Sequence, residues 1–136
     1  MTGPIFDTHA HYSAHAFDAD RFALLDSLPA KGVVGVCEQA THSGDAPRVL
    51  ELAHRYPWVV AAIGIHPESL LAPEDCGADG PAPTVSVYGG DWAAEMRALA
   101  PYYDDPKVVA VGECGLDYHW PVPKDAQLAL FEAEIR

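Results

Sequence analysis

The sequence is poor in cysteine, in basic residues and in long apolar runs. Its three cysteines are odd in number and show no Cys-x-x-Cys spacing, which argues against a disulfide framework or a zinc ribbon and favours reduced thiols. No apolar run approaches the roughly 20 residues that a membrane-spanning helix needs. The opening residues, MTGPIFDTHAHY, also lack the basic region and apolar stretch of a secretory signal. Together these absences predict a cytoplasmic protein.

Basic residues are scarce relative to acidic ones. The chain has eight Lys and Arg against 20 Asp and Glu, which gives a formal net charge of −12. Such a charge opposes binding to DNA, RNA or an anionic membrane through a broad basic patch. A phosphate-bearing substrate would still bind where a metal cation or a local cluster reverses the field. The composition therefore argues against patch-driven nucleic-acid binding but leaves phosphate chemistry at a metal site open.

Four short apolar segments have the length of strands, and the last three are rich in Val, Ile and Ala, as buried parallel strands are. They begin at Pro4, Gly32, Trp58 and Lys107 and read PIFDTHAH, GVVGVCEQA, WVVAAIGIHP and KVVAVGECGLDYH. Helical patterns follow each of them, and these read RFALLDSL, PRVLELAHRY, DWAAEMRALAPYY and DAQLALFEAEIR. Capping aspartates are expected before the first three helices, at Asp18 or Asp20, at Asp45 and at Asp91.

Four strand–helix units in series predict a parallel sheet with right-handed crossovers. Such units close most familiarly as an eightfold barrel of roughly 250 residues. The predicted fold class is therefore α/β, a (βα)4 N-terminal half of a TIM-type (β/α)8 barrel. We expect residues 1–136 to form a single domain with a long loop at 72–90. The last helical pattern is uncapped, so we expect the natural chain to continue past Arg136.

Histidine and acidic side chains gather at the C-terminal ends of the predicted strands, where α/β barrels form their sites. Asp7, His9 and His11 alternate along the first strand, so their side chains share one face. Two imidazoles on one face bind a divalent ion when a carboxylate from another strand joins them. Glu113, at the end of the fourth strand and flanked by glycines, is the obvious third ligand. The alternative is a pair of partly exposed histidines without a metal.

Three stretches, FDTHAHY, AAIGIHPE and VGECGLDYHW, together resemble the first three motifs of TatD-type metal-dependent hydrolases, barrel enzymes of the amidohydrolase superfamily. QLALFEAEIR, from Gln127, is similar to the helix that follows the third motif there, so the resemblance covers essentially the whole chain. It implies a deoxyribonuclease that cleaves phosphodiester bonds with metal-activated water. It also implies DNA or another phosphodiester as substrate.

The resemblance implies a role for each matching residue. His9 and His11 match the pair that holds one metal ion, and Glu113 matches the catalytic carboxylate that bridges two ions. The ions implied are Mg²⁺, Mn²⁺ or Zn²⁺, two in a complete site. Asp7 is expected to support the histidines from nearby. The residues implied on the substrate side are His66, Asp117 and Tyr118.

The family's remaining metal ligands, two histidines and an aspartate from later strands, have no counterpart before Arg136. We therefore expect the 136-residue chain alone to bind metal weakly and to have little or no nuclease activity. Two alternatives stay open. One is an inactive half barrel that serves as a binding or structural module, and the other is an amidohydrolase acting on a C–N or ester bond. Among the remaining histidines, His15 is a candidate for the mouth of the site and His42 is expected to be an ordinary loop residue.

Overall fold

A computed structural model describes residues 3–71 and 86–136 of the chain. Its four strands are β1 (Ile5–Ala10), β2 (Val33–Ala40), β3 (Val59–Ile63) and β4 (Val108–Val111). They form one sheet in the order β1-β2-β3-β4, and every neighbouring pair is parallel. This confirms the prediction of an α/β fold built from consecutive strand–helix units.

Four α-helices lie in the predicted segments, namely α1 (Arg21–Ser27), α2 (Ala46–Arg55), α3 (Trp92–Leu99) and α4 (Lys124–Ile135). The capping prediction holds for α3, where Asp91 accepts a hydrogen bond from the amide of Ala94 at 3.0 Å. It is wrong for the first two helices, because Asp20 and Asp45 occupy the N-cap positions without a side-chain capping bond. The Asp45 carboxylate instead accepts a hydrogen bond from the backbone amide of Thr41, four residues earlier in the chain, at 2.9 Å. It thereby closes the connection between β2 and α2.

The hydrophobic core lies between the helices and one face of the sheet. Its fully buried members include Val36, Val59 and Ile63 from the strands, and Leu25, Val49, Leu99 and Leu130 from the helices. Apolar side chains on the two edge strands remain exposed, with Phe6 of β1 at 53% and Val109 of β4 at 59%. Val34 of the inner strand β2 is also 57% exposed, so one face of the sheet carries uncovered apolar side chains. This is consistent with half of a barrel, because closure would bury that face in the barrel interior.

Part of the predicted loop at 72–90 falls among the described residues. Residues 72–85 lie outside them, and residues 87–90 form a turn that leads into α3. Ser86 donates a hydrogen bond to the carboxylate of Glu95 on α3. The same carboxylate accepts the amide of Ser43 at 2.9 Å, which ties α3 to the connection after β2. Across the described helices, none combines the length and the apolar content needed to cross a membrane.

The carboxyl group of Glu134 on α4 lies against the end of β3. Its Oε1 accepts a hydrogen bond from the amide of Ile65 at 2.7 Å. Its Oε2 is buried and has no hydrogen-bond partner among the described residues. Burial raises the pKa of Glu134 to about 7, although the bond from Ile65 opposes that rise.

We expect Glu134→Gln to raise the melting temperature progressively more as the pH increases from 5 to 8. Between the ordinary pKa of 4.5 and the folded value of about 7, the folded protein holds a proton that the unfolded chain has released. The free energy of unfolding therefore falls as the pH rises through that window. Glutamine stays neutral and keeps the acceptor for Ile65. Thermal melts at four pH values would measure the difference, with Glu132→Gln, an exposed change on the same helix, as the control. A difference that does not vary with pH would contradict the prediction.

Candidate metal centre

Two imidazoles lie together at the end of β1. The Nε2 atoms of His9 and His11 are 3.1 Å apart, and the rings meet edge to face. The pairing of β1 with β2 shifts register between Asp7 and Ala10, immediately around His9. Asp7 Oδ1 accepts the amide of His9 at 3.2 Å, so this carboxylate supports the backbone that carries the imidazole.

Glu113 reaches these imidazoles because the chain crosses the end of the sheet after β4. The amide of Gly112 donates to the carbonyl of Ile63 at 3.0 Å, and the amide of Glu113 donates to the carbonyl of Ala40 at 2.8 Å. The chain therefore passes over the end of β3 and reaches β2. A Cβ at Gly64 would lie 2.8 to 2.9 Å from backbone atoms of Gly112, so the missing side chain is what leaves room for this crossing.

The crossing brings three metal-ligating groups into one cluster. Glu113 Oε2 lies 3.6 Å from His9 Nε2 and 3.2 Å from His11 Nε2. One ligand atom from each residue falls within 4.8 Å of the others. Two imidazole nitrogens and one carboxylate oxygen are a donor set that divalent transition-metal ions accept. The three residues thus fit a divalent cation by both position and chemistry.

The electrostatics of the cluster favour a positive charge beside Glu113. The hydrogen bond with Glu113 raises the pKa of His11, although partial burial opposes the rise. The same hydrogen bond lowers the pKa of Glu113 below its ordinary value. A divalent ion would supply the positive charge that the imidazole proton otherwise provides, and its binding would release that proton.

His66 lies next to the cluster at the end of β3. Its amide donates to the carbonyl of Thr41 at 2.9 Å, and its Nδ1 accepts the amide of Glu68 at 3.2 Å. Because Nδ1 is an acceptor, the neutral ring carries its proton on Nε2. This Nε2 is 3.9 Å from Glu113 Oε1 and 4.0 Å from Asp117 Oδ2. The imidazole therefore presents a hydrogen-bond donor toward the carboxylates of the site.

The loop after Glu113 carries the last two candidate residues, Asp117 and Tyr118, whose side chains lie in different places. Gln127 of α4 accepts the amide of Asp117 and donates to its carbonyl, both at 2.8 Å, which fixes this loop. The Asp117 carboxylate faces His66. Tyr118 is instead 55% exposed, and Lys124 Nζ lies 4.6 Å from the centre of its ring. The structure therefore brings the other candidates together and leaves Tyr118 on the surface.

A cavity of about 590 Å³ opens beside the cluster. His11, His66 and Glu113 line it, as does Glu68 of the AAIGIHPE motif. Residues outside the sequence motifs line it too, among them Ser13, Thr41 and Arg48. His15 lines it, in keeping with a place at the mouth of the site, and so does His42, which was expected to be only a loop residue. The sequence could have indicated Arg48 as a site residue, because it lies in the first turn of the helix that follows β2.

Glu38 lies outside the three family motifs but belongs to the acidic side chains expected at the strand ends. It lies at the end of β2 and is fully buried. Its Oε1 accepts the amide of Ser13 at 2.5 Å, while its Oε2 is buried with no partner among the described residues. Burial raises the pKa of this carboxyl group, although the bond from Ser13 opposes the rise. Glu38 thus anchors the loop that follows β1 at Ser13, a residue that lines the cavity.

Comparison with known proteins places these features in a family. The model for TatD-related DNases matches residues 6–136. The uncharacterized metal-dependent hydrolase YabD of Bacillus subtilis is 32% identical over 134 residues, which are 96% of this chain and 45% of that protein. The 3′-5′ ssDNA/RNA exonuclease TatD of Cronobacter turicensis is 30% identical over 115 residues, 85% of this chain and 37% of the relative. The crystal structure of YjjV, a TatD homologue from Escherichia coli K12, superposes with a TM-score of 0.74 at 28% identity, over 96% of this chain and 45% of that one. The chain thus spans less than half the length of each of these proteins.

Proposed function

Because this chain belongs to the TatD-related DNase family, we propose that it forms the metal-binding part of a hydrolase that cleaves phosphodiester bonds in DNA. The observation that carries the proposal is the convergence of His9, His11 and Glu113 within 4.8 Å at the end of the sheet. The name of the Cronobacter relative, an exonuclease for single-stranded DNA and RNA, supports a nucleic-acid strand as the substrate.

His9, His11 and Glu113 would hold a divalent ion, and the chemistry of the set is compatible with Mg²⁺, Mn²⁺ or Zn²⁺. A bound ion of this kind lowers the pKa of water and withdraws charge from a phosphoryl oxygen. We propose two ions in the complete site, with Glu113 as the carboxylate that they share. The further ligands of the second ion would come from barrel strands beyond the part of the family that this chain spans.

The other candidate residues would act on the substrate directly. His66 would donate its Nε2 proton in a hydrogen bond to a phosphate oxygen, since its Nδ1 is already occupied by the amide of Glu68. Asp117, whose Oδ2 lies 4.0 Å from the same Nε2, would contact the substrate beside this histidine. Tyr118 is exposed and would contact only a substrate that extends out of the cavity.

The proposal is tested on the protein purified from its native source, with its intact mass measured alongside its activity. We expect it to shorten a labelled single-stranded oligonucleotide in the presence of Mn²⁺, to stop in EDTA, and to lose this activity in Glu113→Ala. Glu132→Ala, an exposed change on α4, is the matched control. We expect the 136-residue chain alone to show little or none of this activity. Strong Mn²⁺-dependent cleavage by that chain, abolished by Glu113→Ala, would contradict the expectation of weak activity while supporting the nuclease.

Two alternatives predict other results in the same assays. An amidohydrolase would hydrolyse a dihydro-ring amide or an ester and leave the oligonucleotide intact. A binding or structural half barrel, which the exposed apolar residues Phe6 and Val109 favour, would show no hydrolysis and would associate with a second half barrel. Cleavage of the oligonucleotide by the native protein decides against both.

A further inference from the structure

The cavity beside the metal cluster collects basic side chains from a chain that has few of them. The whole sequence contains eight Lys and Arg and seven His, and its net charge is −12. Of these, Arg48 and four histidines line this one cavity. His11 and His66 belong to the metal cluster and its surroundings. The function proposed above does not use the other three residues, Arg48, His15 and His42. We call these three residues the basic wall.

Arg48 belongs to an ionic cluster with an excess of positive charge. A single oxygen of Asp18, Oδ1, accepts from Arg21 at 2.7 Å and from Arg48 at 2.5 Å, and the other oxygen lies 2.9 Å from Nδ1 of His15. The two arginines have different environments. Arg21 is 11% exposed and also donates to the carbonyls of the loop that follows β1, whereas Arg48 is 32% exposed and lines the cavity. Arg21 therefore holds the loop, and Arg48 is the accessible cation.

His42 is held in place by its own connection. The amide of Gly44 donates to His42 Nδ1 at 2.8 Å. A Cβ at position 44 would come within 2.6 Å of His42 Cε1, so the ring fits only because residue 44 is glycine. With Nδ1 as the acceptor, the neutral ring carries its proton on Nε2. His42 thus lines the cavity as a pre-oriented hydrogen-bond donor.

Three acidic residues line the same cavity, and each has a partner. Glu68 Oε2 lies 3.8 Å from Nδ1 of His66. Asp45 is already committed, because its oxygens accept the amide and hydroxyl of Thr41 and the amide of His42. Glu113 would share its charge with the metal ion. A substrate with several phosphates would therefore meet positive charge in two places, at the metal cluster with His66 and at the basic wall.

We propose that Arg48, His15 and His42 form a second phosphate subsite, which holds a phosphate of the nucleic-acid strand next to the one cleaved at the metal cluster. The subsite rests on the proposed function, since it assigns a place to the rest of the same substrate. Asp18 occupies the guanidinium of Arg48 in the free protein, and a strand phosphate would compete with it. A planar guanidinium suits two oxygens of one phosphate, which an ammonium group matches less well.

The first test measures binding of a fluorescein-labelled single-stranded oligonucleotide by anisotropy in EDTA, with Glu113→Ala as the parent. The result then depends neither on the metal ion nor on the charge of the Glu113 carboxylate, which lines the same cavity. We expect Arg48→Gln to weaken binding about fivefold to tenfold and to reduce the slope of log affinity against log salt by roughly 0.7, the value for one phosphate contact on a single strand. Arg48→Lys should keep most of the salt slope. Arg97→Gln, which removes an exposed charge on α3 away from the cavity, should leave both quantities unchanged.

A second variant separates a phosphate subsite from a purely structural ion pair. Asp18→Asn removes the carboxylate that competes for Arg48, so we expect tighter oligonucleotide binding than in the parent. If Arg48 and Asp18 only hold the fold together, both substitutions should weaken binding and lower the melting temperature together. Asp104→Asn, at an exposed position after α3, is the control for the loss of one negative charge.

Inorganic phosphate and a mononucleotide identify the source of the phosphate group. If Arg48→Gln weakens these small ligands and leaves the oligonucleotide unaffected, the wall serves a free phosphate monoester and the strand subsite is wrong. Equal oligonucleotide affinities for parent and Arg48→Gln, or no measurable binding by either, would also overturn it. If Glu113→Ala abolishes cleavage while Arg48→Gln still weakens oligonucleotide binding, both proposals are supported. If Arg48→Gln weakens binding but the native protein never cleaves DNA, only the proposed nuclease activity is wrong.

Discussion

Glu113→Ala is expected to lower the affinity of the 136-residue chain for Mn²⁺ by about a hundredfold or more. Loss of a group that merely supports a ligand already costs 10- to 100-fold in metal affinity, and Glu113 would be a ligand itself. It is also the only carboxylate in the cluster of His9, His11 and Glu113 that the described residues form. Without it, the exposed imidazole of His9 and the half-buried imidazole of His11, two residues apart at the end of β1, would face the ion with no carboxylate beside them.

Isothermal titration of Mn²⁺ into the parent and Glu113→Ala at pH 7.5 measures this difference. Glu132→Ala is the control, because it removes an exposed carboxylate of the same kind from α4. The parent affinity should fall as the pH is lowered, since the pKa of His11 is raised by Glu113 and the ion must displace that proton. An unchanged affinity in Glu113→Ala would mean that metal binds elsewhere on the chain.

Gly64→Ala is expected to destabilise the protein by about 2 kcal/mol and to weaken its metal binding. The new Cβ would lie 2.8 to 2.9 Å from backbone atoms of Gly112, and a backbone cannot yield as the end of a flexible side chain does. Residues 112 and 113 would have to move away from the end of β3. That movement would break the hydrogen bond from Glu113 to the carbonyl of Ala40 and carry the carboxylate away from the imidazoles.

Urea unfolding and Mn²⁺ titration of the same samples test both parts of this prediction. Gly3→Ala is the matched control, since a Cβ at residue 3 meets no atom within 4 Å and should change neither quantity. If Gly64→Ala has the stability and the Mn²⁺ affinity of the parent, then the space left by Gly64 at the end of β3 does not position Glu113. A destabilised protein with parental metal affinity would limit the role of Gly64 to packing.

Several features of this protein follow from local sequence alone. The apolar runs at Val33–Ala40 and Val59–Ile63 specify buried strands, because β-branched and small apolar side chains suit a sheet covered by helices. The aspartate before α3 predicts its start correctly, since a capping bond spans only three residues. The alternation of His9 and His11 places two imidazoles at one strand end, because the period of a strand is two.

Other features of the site depend on long-range structure. The match of Glu113 to a family motif indicated a ligand, but its route over Gly64 to the end of β2 depends on hydrogen bonds between strands far apart in sequence. Tyr118 shares a motif with Asp117, yet the two side chains diverge because Gln127 fixes the loop between them and α4. Asp45 occupies a cap position, but its carboxylate accepts a hydrogen bond from the amide of Thr41, which precedes it in the chain. No helix pattern in the sequence predicts this bond.

The sequence by itself determined the order of strands and helices, the pairing of two histidines and the family to which the chain belongs. Each of these depends on residues a few positions apart, or on motifs that recur as written. Only the tertiary structure decided which side chains share a cavity. His15 follows β1, His42 follows β2 and Arg48 lies on α2, and they meet through the register of the sheet and the paths of its loops. Burial of Glu38 and Glu134 was decided there too, because a side chain becomes buried only when elements distant in sequence pack over it.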